Sequence, residues 1–312
     1  MSVLPATVRI REVGPRDGLQ NEPEIVATDD KVALVDRLAR TGLTRIEVTS
    51  FVRADVIPQL SDAREVLERI DVPDRVARSV LVPNSRGLDH ALELRDCFDE
   101  VGVFLSASET HNLRNVNRTV ASSLDSLERV IARARDAGLR VEAVIATSFG
   151  CPHEGHVPRE RVIEIAAKLA SAGADEVAFG DTTGMANPLQ VAAHFEAARA
   201  ALGDEVELTA HFHNTRGQGL ANVLAALQAG CASFEASVGE LGGCPVPPGA
   251  TGNIATEDLA GMLHEMGIAT GIDLGALVEV ARDVQRLIGR RLTSHTLVAG
   301  PIDWRPSADG RA

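Results

Sequence analysis

The chain has 312 residues, 45% hydrophobic and 24% charged, with 31 basic against 44 acidic side chains and a formal net charge of -13. This composition describes a globular chain with a large core and excludes a disordered or fibrous one; no apolar run reaches the roughly 18 residues of a membrane span, and the net acidity argues against nucleic-acid binding. The first residues lack a signal peptide's basic start and apolar stretch, and Cys97, Cys151, Cys231 and Cys244 show no paired spacing, so the cytoplasm is expected and neither a disulfide framework nor a structural zinc site is.

In chain order, a first strand is predicted at 8–13 (VRIREV), followed by EVGPRDGLQ, which carries Arg16 and Asp17 and is neither a dinucleotide-binding nor a P-loop pattern. A helix at 29–42 buries Val32, Leu34, Val35, Leu38 and Ala39 on one stripe; Thr28 or Asp29 suits its cap and Gly42 its end. Strands at 44–50 (TRIEVTS, with Glu47), 76–82 and 98–105 come next, then a helix at 123–138 and a strand at 140–147. FGCPHEG (149–155), with Cys151 and His153, leads into a helix at 158–173. A strand at 175–179 ends in FGDTTG with Asp181, a helix occupies 187–203, and a strand at 206–213 ends in His211 and His213. A helix at 219–230 and a strand at 232–238 complete eight units. The Gly- and Pro-rich segment 239–253 follows, with Cys244 and Asn253, and then closing helices. Eight strand–helix units fit an α/β (β/α)8 TIM barrel with extra C-terminal closing helices. No linker interrupts it, so residues 1–302 are expected to form a single catalytic domain and 303–312 a flexible tail.

In such a barrel, catalytic groups sit at the C-terminal ends of the strands, and Arg16, Asp17, Glu47, Asp181, His211, His213, Cys244 and Asn253 all fall there. His211 and His213, at i and i+2 of a strand, point to the same side and can share one divalent ion. Asp17 offers a third ligand and Asn253 a neutral oxygen, a mixed set that suits Mg2+ or Mn2+ better than structural zinc. Arg16 is either a fixed cation beside the metal or the partner of an acidic neighbour, and Glu47 can orient it. Asp181 can cap the following turn or relay a proton. Cys244, on a loop shaped by glycines, is the candidate reactive thiol, whereas Cys97 and Cys231 read as core. Both lysines of the chain, Lys31 and Lys168, fall on outer helices. Imine catalysis therefore has no candidate at the mouth.

These residues lie in EVGPRDGLQNE (12–22), IEVTSFV (46–52), PQLSD (58–62), LVPN (81–84), FGCPHEG (149–155), GDTTGMANP (180–188), HFHNTRGQGLANVLAALQAG (211–230) and GGCPVPPGATGNIATEDL (242–259). The sequence resembles the 3-hydroxy-3-methylglutaryl-CoA lyase family over about residues 8–300. The family sits within the metal-dependent barrel lyases and Claisen-type synthases. The resemblance implies a metal held by Asp17, His211, His213 and Asn253, with Arg16, Glu47, Asp181, His211 and Cys244 as catalytic residues. It also implies cleavage of 3-hydroxy-3-methylglutaryl-CoA to acetyl-CoA and acetoacetate, a step of leucine catabolism. The expected partner is a CoA-thioester substrate, with no nucleic acid or membrane, and a homodimer is a compatible assembly. Where the family reads HCHDTYGQ and SVAGLGGCPYA, this chain has Asn214, Arg216, Glu240 and Val246. Those changes leave open a related thioester such as citramalyl-CoA. Claisen-type synthesis and a non-catalytic interaction barrel are the remaining alternatives.

Overall fold

The computed structural model describes residues 4–242 and 252–304. Eight strands, β1 (Arg9–Glu12), β2 (Arg45–Ser50), β3 (Ala77–Leu81), β4 (Glu100–Ser106), β5 (Arg140–Ala146), β6 (Glu176–Asp181), β7 (Glu207–Phe212) and β8 (Ser233–Ala236), pair in parallel in chain order. β1 also pairs with β8, which closes the barrel. Each predicted strand is present, with its ends within two residues of the observed ones. The helices between them bury aliphatic stripes against the outward strand residues, such as Val35 and Leu38 of Thr28–Leu38 and Val130 and Ile131 of Val120–Asp136. Burial of such side chains stabilises a fold by about 1.5–3 kcal/mol each. Thr256–Glu265, Leu274–Ile288 and the short His295–Ala299 follow β8 as closing helices. Among the described residues, no helix is long and apolar enough to cross a membrane.

The first helix departs from expectation at its start. It begins at Thr28, with Ala27 in the capping position and no side-chain cap. The Thr28 hydroxyl instead donates to Asp62, which also receives the buried Lys31 ammonium at 2.9 Å. A long-range ion pair thus replaces the local cap. Lys31 and Lys168 both lie on outer helices, Thr28–Leu38 and Arg159–Ser171. The tail expected at 303–312 falls mostly outside the described residues, and Trp304 donates to Glu265 at 2.8 Å.

The barrel interior was not foreseen. Aliphatic layers are usual there, but this lumen holds Arg11, Arg45, Glu100, Glu142, Glu176 and Glu235, all buried. Arg11 reaches Glu235 at 3.0 Å and Glu100 at 3.1 Å, while Arg45 reaches Glu100 at 2.9 Å and Glu176 at 2.5 Å. Burial opposes ionisation of Glu176, yet Arg11 and Arg45 hold it well below the usual carboxylate range. Breaking one partner of such a network is far more damaging than the net worth of the pair, because it strands a buried charge.

Outside the barrel, His194 of Pro188–Leu202 is fully enclosed by Phe179 at 4.7 Å and Phe149 at 4.8 Å between ring centroids. Its Nε2 has no hydrogen-bond partner. Burial, and secondarily Arg159, depress its pKa to about 3 from an ordinary 6.5. The folded state therefore favours the neutral ring. The associated stability is fully present above about pH 6.5 and lost as pH falls below it. At pH 5 the loss is about 2 kcal/mol. His194→Leu is expected to flatten the fall in melting temperature between pH 7 and pH 5; equal falls in variant and wild type would refute the assignment.

Candidate active site

β1 ends at Glu12, and the chain turns at once through a single wide helical turn, Gly14–Gly18. Such π turns recur at functional sites. Glu12 anchors this one. Its Oε1 accepts from the Gly14 and Val238 amides at 2.7 and 2.9 Å, and its Oε2 accepts from the Thr256 hydroxyl at 2.6 Å. The turn aims Arg16 and Asp17 across the barrel mouth. Arg16 Nε donates to Glu47 Oε2 at 2.6 Å, and its Nη1 donates to Asp17 Oδ1 at 2.8 Å. Burial opposes charge on both sides, but the pairing holds Arg16 above its ordinary value and Asp17 well below the carboxylate range.

Opposite Asp17, His211 is the last residue but one of β7, with its Nε2 at 3.1 Å from Nε2 of His213. One ligand atom each from Asp17, His211 and His213 lies within 4.8 Å of the others. Asn253 arrives by backbone pairing. Ile254 N donates to Phe212 O and Asn214 N donates to Gly252 O, which lays Asn253 antiparallel to His213. Its Nδ2 donates to Asp17 Oδ2 at 2.8 Å, and its Oδ1 is buried without a partner. Gly242, at φ +85°, makes room for this approach; a Cβ there would stand 2.8 Å from Asp17 O and 2.9 Å from Asn253 Nδ2. Burial, then the neighbouring His211, depress the His213 pKa to about 4, so its ring is neutral at pH 7. An ionised carboxylate, two imidazoles and an orphaned amide oxygen fit a divalent cation.

The structure therefore brings together Arg16, Asp17, Glu47, His211, His213 and Asn253. Asp181 lies next door, at the end of β6 level with Phe212. Its Oδ1 accepts from the Met185 and Ala186 amides at 2.7 and 3.1 Å, so it does cap the following turn, and its Oδ2 is buried without a partner. Burial outweighs those two amides and pushes its pKa up to about 7. Cys244 and Val246 lie outside the described residues. Cys151 is buried and accepts from the Ser108 hydroxyl at 3.0 Å, whereas Cys97 is only half-buried rather than in the core.

Two departures from the family pattern meet in space. Asn214 Nδ2 donates to Glu240 Oε1 at 2.6 Å. An aspartate at 214 would set two carboxylates against each other, whereas the amide supplies a donor, so the changes compensate. Glu240 holds this place at φ +64°, a conformation costly for a residue with a side chain. Arg216 is tied to the Thr183 and Gly184 carbonyls at 2.9 and 2.8 Å. Sequence reading missed Glu12 and Glu235. Glu235 Oε2 meets His211 Nδ1 at 2.9 Å.

Around the cluster opens a cavity of about 690 Å3, lined at depth by Asp17, His211 and His213 and toward solvent by Arg53, Arg114 and Arg118. The depth is polar and cation-ready, while the rim is basic.

Residues 7–284 match the HMGL-like family. The chain is 46% identical to hydroxymethylglutaryl-CoA lyase YngG of Bacillus subtilis, over 94% of this chain and 97% of that protein. It superimposes on a crystal structure of the B. subtilis HMG-CoA lyase with a TM-score of 0.91, over 95% of this chain and 98% of that one. An HMG-CoA lyase from Acinetobacter baumannii, solved in complex with coenzyme A and 3-methylmalate, is 40% identical with a TM-score of 0.90, over 98% of this chain and 99% of that one.

Proposed function

The chain belongs to the HMGL-like family, and on that premise we propose that it is a divalent-metal-dependent lyase that cleaves 3-hydroxy-3-methylglutaryl-CoA to acetyl-CoA and acetoacetate. The observation that carries this reading is the convergence of Asp17, His211 and His213 on one point at the mouth, beside the orphaned Asn253 Oδ1. Coenzyme A and a hydroxy diacid bound to the A. baumannii relative support the same substrate class. Here Arg53, Arg114 and Arg118 would meet the anionic CoA end, and the deep cluster the acyl end.

Asp17, His211, His213 and Asn253 would hold the ion, with Mg2+ or Mn2+ favoured by the mixed oxygen and nitrogen donors. When bound, the ion supplies Lewis-acid polarisation of substrate oxygens. Asp181 Oδ2 takes the proton of the tertiary hydroxyl. That carbon becomes the ketone of acetoacetate as the carbon–carbon bond breaks, and its electron pair leaves on the enolate of acetyl-CoA. Arg16, held by Glu47 and Asp17, stabilises the enolate oxygen. Cys244 returns a proton to the enolate carbon. The proposed compartment is the cytoplasm, as named for the rat relative, although the Arabidopsis thaliana relative at the same 40% identity is named mitochondrial.

The direct test is a product-resolved assay of the pure protein with Mg2+ or Mn2+ against a panel of 3-hydroxy diacid CoA thioesters. Acetoacetate from 3-hydroxy-3-methylglutaryl-CoA is expected, and cleavage of citramalyl-CoA in its place would overturn the acyl assignment. Asp17→Asn and His213→Ala are each expected to weaken Mn2+ binding by more than the roughly 10–100-fold that outer partners of metal ligands are worth. Calorimetric titration reads this directly, and wild-type affinity in either variant would remove that residue from the site.

A further inference from the structure

We propose that Glu235 is a positioning residue that sets the tautomer of His211, and so prepares one of two unequal imidazole ligands before any ion arrives. The inference rests on the reading of Asp17, His211, His213 and Asn253 as the metal site. It starts from register. Glu235 of β8 stands level with His211 of β7 on one side and with Arg11 of β1 on the other. All three side chains are buried. The carboxylate divides itself between them, Oε2 to His211 Nδ1 at 2.9 Å and Oε1 to Arg11 Nη1 at 3.0 Å. An ionised carboxylate only accepts hydrogen bonds, so Nδ1 must carry the imidazole proton. The lone pair of the neutral ring then lies on Nε2, the atom that faces His213 and Asp17. Arg11 is gripped in turn by Glu100 at 3.1 Å and Glu176 at 3.3 Å, which keeps Glu235 from swinging away. Glu235 itself stands outside the gathered ligand atoms, which come from Asp17, His211 and His213.

His213 has no equivalent support. Its Nδ1 is buried and has no hydrogen-bond partner. With the His211 proton on Nδ1, the 3.1 Å contact between the two Nε2 atoms calls for a proton on His213 Nε2, so an ion that takes both Nε2 lone pairs would require His213, and not His211, to change tautomer. Carboxylates or carbonyls behind metal-bound histidines work in this way, and their loss lowers metal affinity about 10–100-fold.

Glu235→Gln separates the two duties. Its single oxygen goes to the permanently charged Arg11, which leaves an amide N–H2 facing His211 Nδ1 and drives the ring proton onto Nε2. The experiment uses the metal-free full chain at pH 8.5 with long-range 1H–15N spectra of the imidazoles, alongside Mn2+ titration. Wild type is expected to show His211 as the Nδ1–H tautomer and His213 as Nε2–H. Glu235→Gln is expected to show His211 as Nε2–H, with Mn2+ affinity down 10–100-fold. An Nε2–H tautomer for His211 in wild type overturns the proposal, and that measurement needs no variant to fold. Unchanged Mn2+ affinity in a folded Glu235→Gln also overturns it, while leaving the metal site standing. Absence of Mn2+ binding by wild type would instead overturn the metal reading on which the proposal rests.

Discussion

Arg16→Met is expected to give a folded protein that binds Mn2+ like wild type and turns over about 10²–10³-fold more slowly, the usual loss when one donor to a developing oxyanion is removed. Arg16 touches the site through two carboxylates, at 2.6 Å to Glu47 and 2.8 Å to Asp17. These bonds fix the guanidinium before substrate enters, so its charge need not reorganise as the enolate forms. Methionine fills similar volume without charge. Lysine is no remedy, because a single ammonium cannot span both carboxylates in the planar fork that arginine uses. Burial already raises the Glu47 pKa, and without Arg16 its carboxyl takes up a proton rather than remaining a bare buried charge. The fold is thereby spared. The decisive readout is the separation of kcat from Mn2+ affinity. A variant that loses the ion in step with turnover would make Arg16 a support for Asp17 and not an oxyanion partner.

What the sequence showed and what it hid have one physical cause. A barrel strand carries two faces at period two, and a single chain cannot say which is inside. Outward Val101 and Val103 of β4 and Val141 of β5 announce strands wherever they point. Glu100, Glu142, Glu176 and Glu235 alternate with them and read as a solvent face; only the closing pair of β1 with β8 turns that face inward. The charged lumen, and Glu235 with it, was invisible for that reason. His211 and His213 were legible because i and i+2 share a side whichever face is buried. Asn253 could be named only as a polar residue of the loop after the eighth strand, since its approach to Asp17 and His213 depends on backbone bonds between 252–254 and 212–214. The Asn214–Glu240 bond spans 26 residues and reads, in the sequence, as two unrelated departures. The cap expected from Thr28 failed because Asp62, far along the chain, bound the hydroxyl instead.

Asp181→Asn is expected to lower turnover by about 10²–10⁴-fold, the range for loss of a positioned general base, and to remove the low-pH limb of the rate profile. As a base the carboxyl must be ionised. Burial has pushed its pKa up to about 7 from an ordinary 3.8. Wild-type kcat/KM, which reports the free enzyme, should therefore rise with pH through about 7 and level off above it. The same shift makes an opposite statement about stability. The folded state binds this proton more tightly than the unfolded chain does, so the protein loses stability as pH rises from about 4 through 7, by a few kcal/mol in all. Asparagine keeps an oxygen for the Met185 and Ala186 amides but has no charge to bury. Asp181→Asn should thus melt well above wild type at pH 8 and close to it at pH 4. Slower turnover with a gain in stability that appears only at high pH is the signature of a carboxylate kept for proton transfer at the fold's expense. A variant that melts below wild type at pH 8 would make Asp181 a turn cap alone, and an unchanged low-pH limb would assign the proton to another group.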